Sequence, residues 1–360
     1  MKTHSPEPEK TNQSRERKRP DRRRVARPAP LAFLLGAVVF TVPLDAQSPR
    51  LRTLTYDPQK KDWIEEAPPP EGTAEGDLFA IRTTIKEGHH RRALSAVGRF
   101  IKKYGDHDAT YPEALLAKAE ALIGLKDYDK AHKVLQTFLS EFGGMSLTSE
   151  ALRLEFVIAE TWLTGVKRTV WGVFRVSGVD MAYQILDEIS GEYPDQRIAE
   201  LAIKTKADHL FRTGEHALAE LEYGRMVREY PRSRYHPFAV GRTAESALAS
   251  FGGVDYDEAA LIEAEERYND YRHQYRAAAE AEGVGLILDG IRETRAEKDF
   301  QVGQYYERTD HLGSAVFYYR SAKNSYSETI AAAKATARLE LLGAAEPVAD
   351  SRSNDRGGTR

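Results

Sequence analysis

Ten histidines, 55 acidic residues and no cysteine set the chemistry that this 360-residue chain could carry. A zinc-peptidase centre needs two histidines one helical turn apart around a glutamate, because that spacing aims two imidazoles at one ion. The histidines stand at 4, 89, 90, 107, 132, 209, 216, 236, 273 and 311, and no His-Glu-x-x-His occurs. His209 and His216 flank a helix break expected at Gly214, and His89-His90 falls in an expected turn. A phosphate loop would need a glycine-rich turn after a strand. Gly283-Val284-Gly285 has no such strand before it, and no Gly-x-x-x-x-Gly-Lys-Ser/Thr or Gly-x-Ser-x-Gly motif is present. Neighbouring carboxylates such as Glu265-Glu266 diverge on a helix rather than converge on a substrate. Zero cysteines excludes thiol nucleophiles, disulfides, Cys-ligated zinc, iron–sulfur clusters and Cys-linked lipid anchors. No catalytic, cofactor-binding or metal-ligating residue is expected. The chemistry left is that of surfaces.

The elements that would carry those surfaces begin after a leader. A basic stretch, Arg15 to Arg27, runs into the apolar segment Leu31–Leu44, which is long enough for a signal-peptide core and too short to span a bilayer. Residues 1–46 therefore read as a basic leader and signal peptide cleaved after Leu44-Asp45-Ala46, and the protein is expected to be exported. Residues 47–76 include Pro68-Pro69-Pro70 and read as a flexible linker; 343–360 have no apolar period and read as a disordered tail. The formal charge of -3 gives no general electrostatic reason to expect nucleic acid.

Between the tails the apolar residues recur at helical spacing, in pairs of helices. The clearest unit ends at Pro231, with Ala207, Leu210, Gly214, Ala219 and Tyr223 leading to it. Small Ala207 and Ala219 allow two helices to approach, Gly214 ends the first helix, Tyr223 fills the gap to the next unit and Pro231 stops the second helix. These are the frame positions of a tetratricopeptide repeat (TPR) of about 34 residues. The same frame places alanines 93, 131, 182, 264 and 315 in five further units, with a closing helix at Glu328–Leu342. The expected fold is all-α, a right-handed superhelical TPR solenoid of about five to six helix pairs over residues 77–342. A plain helical bundle is the alternative. Strand signals are confined to an insertion, Val166–Gly178, inside the third unit.

Several units end in a shared phrase: IKKYG at 101–105, SGEYP at 190–194, VREYP at 227–231 and NSYS at 324–327. With the segments from Glu297 to Arg308 and from Ser314 to Arg320, the chain resembles the outer-membrane protein assembly factor BamD, or YfiO-like, family of TPR lipoproteins. That resemblance implies a periplasmic scaffold, associated with the outer membrane, that binds the β-barrel insertase BamA and receives unfolded barrel clients. With no cysteine to lipidate, membrane association is expected to be indirect. An exported adaptor for another envelope complex, in division or polysaccharide secretion, is the alternative. A TPR-appended enzyme is disfavoured.

In such a stack the first helix of each pair lines the groove. The fourth unit offers Leu201, Lys204, Asp208, Phe211 and Arg212, and the sixth offers Glu297, Phe300, Gln304, Glu307 and Arg308. Both sets mix an aromatic with charge, which suits an extended peptide or a partner helix. The insertion adds Trp171 and Phe174 among Lys167, Arg168 and Arg175, and is expected to be a partner-binding loop. Tyr271, Tyr275, Tyr305 and Tyr318 mark Phe238 to Leu342 as the expected platform for the main protein partner.

Overall fold

The computed structural model of the chain describes residues 54–57, 62–65, 69–170, 174–253 and 258–344. The leader, its cleavage point, Trp171 and nearly all of the C-terminal tail lie outside the described residues. The chain divides into two compact units, the first ending at Glu66 and the second starting at Ala67. In the first unit, β1 (Leu54–Asp57) and β2 (Asp62–Glu65) pair as an antiparallel hairpin, with Tyr56 opposite Trp63. A hairpin thus stands inside the stretch that composition marks as flexible linker. Its short β-branched and aromatic runs, LTYD and DWIE, are the strand signal that the surrounding prolines mask.

The second unit is an all-α TPR solenoid. Its helices are α1 (Ala74–Lys86), α2 (His90–Tyr104), α3 (Tyr111–Gly124), α4 (Tyr128–Phe142), α5 (Thr148–Leu163), α6 (Val179–Glu192), α7 (Arg197–Arg212), α8 (His216–Glu229), α9 (His236–Ala249), α10 (Ala259–Gln274), α11 (Arg276–Ala281), α12 (Val284–Arg308), α13 (Leu312–Ser325) and α14 (Ile330–Leu341). Each helix packs mainly on its neighbour in sequence, and first helices also touch across units: α1 on α3, α3 on α5, α5 on α7. Six pairs result: α1/α2, α3/α4, α5/α6, α7/α8, α9/α10 and α12/α13. The helix α14 closes the end, as expected from Glu328–Leu342.

One pattern generates all six pairs. The second helix of each carries an alanine, then apolar residues four and seven positions later, which places three side chains on one stripe. The sets are 93/97/100, 131/135/138, 182/186/189, 219/223/226, 264/268/271 and 315/319/322, and all eighteen residues are buried. The six alanines have no exposed surface at all. With no free surface around them, a larger side chain there would have to push its neighbours apart.

The turn inside the pair is regular in four of the six. Five residues before the alanine the backbone takes the left-handed conformation, at Gly88, Lys126, Gly214 and Asp310. The next residue then donates its N–H to a carbonyl five residues back, as in Asp127 to Leu122 (2.9 Å) and Glu215 to Leu210 (2.9 Å). The shared closing phrase has a comparable role: the Tyr104 hydroxyl donates to the Gly72 carbonyl (2.9 Å) and that of Tyr230 to the Pro194 carbonyl (3.0 Å), tying one unit's end to the previous turn.

Two insertions depart from the frame. Between α5 and α6, β3 (Arg168–Val170) and β4 (Phe174–Val176) form an antiparallel hairpin. Between α10 and α12 stands the short α11, and α12 is 25 residues long. The first half of α12 lays Val284, Leu288 and Ile291 on the fifth pair, and the second half lays Ala296 and Phe300 on the sixth. This corrects one expectation: Tyr271 is 1% exposed under α12, and its hydroxyl donates to Glu282 (3.0 Å), so it is core rather than partner surface.

Candidate functional site

Helices α7 and α9, first helices of consecutive pairs, carry a cluster in which two cations each lie against aromatic rings. Lys204 and Asp208 stand one turn apart on α7 and pair at 2.6 Å. Asp208 also accepts from the hydroxyl of buried Tyr223 (2.5 Å), which fixes the carboxylate from below. Burial, then Asp208 itself, raises the Tyr223 hydroxyl pKa, so the phenol stays a donor. The Lys204 ammonium lies 4.5 Å from the centre of the Phe238 ring on α9. Arg242, one turn beyond Phe238, stands 4.8 Å from the Phe211 ring and 5.3 Å from the Phe238 ring, and pairs with Glu245 at 2.6 Å. Two cations thus grip two aromatic rings, each contact adding about 0.5–1 kcal/mol at such partly exposed positions.

The cluster is built rather than accidental. Each cation has its own carboxylate, so the rings are held without net charge, and Phe238 remains 36% exposed. An incoming peptide meets an apolar ring rimmed by donors and acceptors whose positions are already fixed, which lowers the ordering cost of binding. Lys204, Asp208 and Phe211 are therefore brought together as the frame suggests. Arg212, at the end of α7, is exposed and stands outside the ion pairs among the described residues. Phe238 enters the sequence reading only as the start of the expected partner platform, and Arg242 and Glu245 do not enter it. Counting back from Ser250 after α9 as from Thr213 after α7 makes Phe238 and Glu245 the equivalents of Leu201 and Asp208, and that count is the signal that finds them.

The sixth-unit set behaves differently. Phe300 is 6% exposed and packs against Tyr319 at 5.5 Å, so its assignment to the groove is corrected: it is core. Glu307 accepts from the Tyr319 hydroxyl (2.6 Å) and from the Arg338 guanidinium, which ties α12 to the closing helix. Arg338 first and Tyr319 second hold its carboxyl below the ordinary value. Glu297 pairs with Lys334 of the same closing helix at 3.1 Å. Gln304 is half-buried and Arg308 exposed. Beside them a chain of rings runs along the surface: Tyr305 against Tyr306 (5.6 Å), Tyr306 stacked on Tyr318 (5.6 Å), and Tyr318 against Phe317 (5.3 Å).

On the β3–β4 hairpin, Phe174 is 60% exposed. The hairpin is rooted by Arg168, which pairs with Asp129 (2.7 Å) and covers the buried Trp162 ring at 5.1 Å. Among the described residues, no group of three or more histidine, aspartate or glutamate side chains could hold a metal ion. No helix among them is long and apolar enough to cross a membrane.

No protein-family model matches this chain, and no curated protein matches it. Among solved structures it is similar to PilW, a type IV pilus biogenesis factor, at 13% identity over 74% of this chain and 99% of that one, with a TM-score of 0.30. It is similar to a thermophilic TPR protein of Thermus thermophilus at 17% identity over 60% of this chain and 100% of that one, TM-score 0.28. It is also similar to the C-terminal part of a TPR repeat-containing protein of Cytophaga hutchinsonii, at 13% identity over 72% and 98%, TM-score 0.24. At such values no residue role is carried across, and the fold assignment stands on the chain's own helix pairing.

Proposed function

We propose that this chain is a non-enzymatic, exported scaffold that works in outer-membrane β-barrel assembly, as its sequence resemblance to the BamD-like family implies. The observation that carries the reading is the Lys204–Asp208–Phe211–Phe238–Arg242 cluster on first helices α7 and α9. A half-exposed ring rimmed by fixed charges suits an extended, alternately apolar and polar segment, which is the pattern of an unfolded barrel strand. The surface rings Tyr305, Tyr306, Tyr318 and Phe317 on the last pair support a second contact there, with a BamA-like insertase as the partner.

The test is fluorescence anisotropy of a labelled, urea-unfolded outer-membrane barrel polypeptide diluted into the full chain. F238A/R242A should weaken binding about tenfold or more, the loss expected when a central anchor is truncated. L221A, on the exposed face of α8, should leave it unchanged. Equal affinity for the wild type and F238A/R242A would defeat the reading.

A further inference from the structure

The second helix of the first pair stands apart in charge. Helix α2 carries five Lys/Arg residues and no Asp or Glu, whereas the corresponding helix of the third pair, α6, carries four Asp/Glu residues and no Lys or Arg. Four of those cations, Arg91, Arg92, Arg99 and Lys102, are exposed and form no ion pair among the described residues; Lys103 pairs with Asp77 at 2.8 Å. Positions 91, 95, 98 and 102 lie along one line of the helix with 92 and 99 beside it, so the charges share one face. The opposite face, Ala93, Val97 and Phe100, is buried in the pair and cannot insert anywhere else.

We propose that this face of α2 seats the stack on an anionic lipid bilayer, as a peripheral contact made by charge alone. A bilayer fits better than a nucleic acid for two reasons. The exposed line of α2, with Ser95 and Gly98 between the cations, offers no aromatic side chain for bases to stack on. A long polyanion following the stack would also meet the acidic α6, which carries four Asp/Glu residues and no cation. The proposal is independent of the client-binding reading, because α2 shares no residue with the α7–α9 cluster.

The probe is co-sedimentation of the full chain with phosphatidylglycerol/phosphatidylcholine vesicles at low salt, against phosphatidylcholine alone. Each Lys or Arg near an anionic leaflet contributes about 1 kcal/mol, or about fivefold in partitioning. R91Q/R92Q/R99Q/K102Q should therefore lose about a hundredfold or more, and each half, R91Q/R92Q or R99Q/K102Q, about 25-fold. The ten Lys/Arg residues of the leader are common to all variants, so the difference reads α2. R91K/R92K/R99K should bind as the wild type does, because the contact needs charge and not guanidinium geometry, and added salt should release the wild type. Retained vesicle binding by both half-variants would overturn the proposal. So would equal or tighter binding of the wild type to duplex DNA at the same salt, which would mark a general polyanion surface.

Discussion

Two glycines on α12 should respond to alanine in opposite directions. At Gly303 an added Cβ would lie 2.7 Å from both Cδ1 and Cε1 of Tyr319. That ring cannot swing aside, because it packs on Phe300 at 5.5 Å and its hydroxyl is bonded to Glu307 at 2.6 Å. Reaching an ordinary contact of 3.4 Å would need a shift of about 0.7 Å within a close-packed interface. Overpacking of this kind costs about 1–3 kcal/mol. At Gly290, one face of the same helix away, nothing lies within 4 Å of the new Cβ. There the helix preference for alanine over glycine, about 1 kcal/mol, acts unopposed. The preference is common to both sites, so the difference between G303A and G290A isolates the clash at about 1–3 kcal/mol. Urea unfolding, with hydrogen exchange of the α12 and α13 amides to localise the effect, measures it. Equal stability changes within about 0.5 kcal/mol would refute the packing of Gly303 on Tyr319 and the sixth pair with it.

Replacing Trp162, fully buried under Arg168, by alanine should cost about 3–5 kcal/mol in chemical denaturation, and a loss below about 1 kcal/mol would contradict its place in the core. Lys126→Gly and Asp310→Gly should each stabilise by about 0.5–1 kcal/mol, because both residues hold left-handed backbone, at φ 61° and 62°, where Gly88 and Gly214 stand in other pairs. Glu307, whose carboxyl is held below its ordinary value of 4.5, stabilises the last pair above that pH and stops doing so as the pH falls through its lowered folded value. The melting temperature of the wild type should accordingly fall more steeply on acidification than that of E307Q, and parallel curves would count against the Arg338–Glu307–Tyr319 link.

The six helix pairs were legible because their defining alanines recur at one frame position and are each fully buried there, where a larger side chain would overpack the pair. The closing helix and the α5–α6 insertion were legible for a related reason, since a missing frame residue is as visible as a present one. Lys126 and Asp310 were not, because they occupy a turn position by conformation where the frame asks for glycine by type. Tyr271 and Phe300 were placed on the wrong side because the short α11 and the 25-residue α12 shift the fifth and sixth pairs relative to the ideal repeat. Burial there depends on what α12 covers, a tertiary fact with no local signature. Of the candidate site, half was legible. Lys204, Asp208 and Phe211 follow from one unit's frame, while Phe238 and Arg242 come from the neighbouring unit and meet them only across the packed pair.

In the proposed function a polypeptide is held on the first-helix face around α7 and α9. A photo-crosslinking amino acid placed at Phe238, and separately at Leu221 on the exposed face of α8, reads this directly in the native host. Position 238 should give discrete protein adducts, including barrel polypeptides in transit, and position 221 none of comparable yield. Adducts from 221 alone, or equal adducts from both, would contradict it.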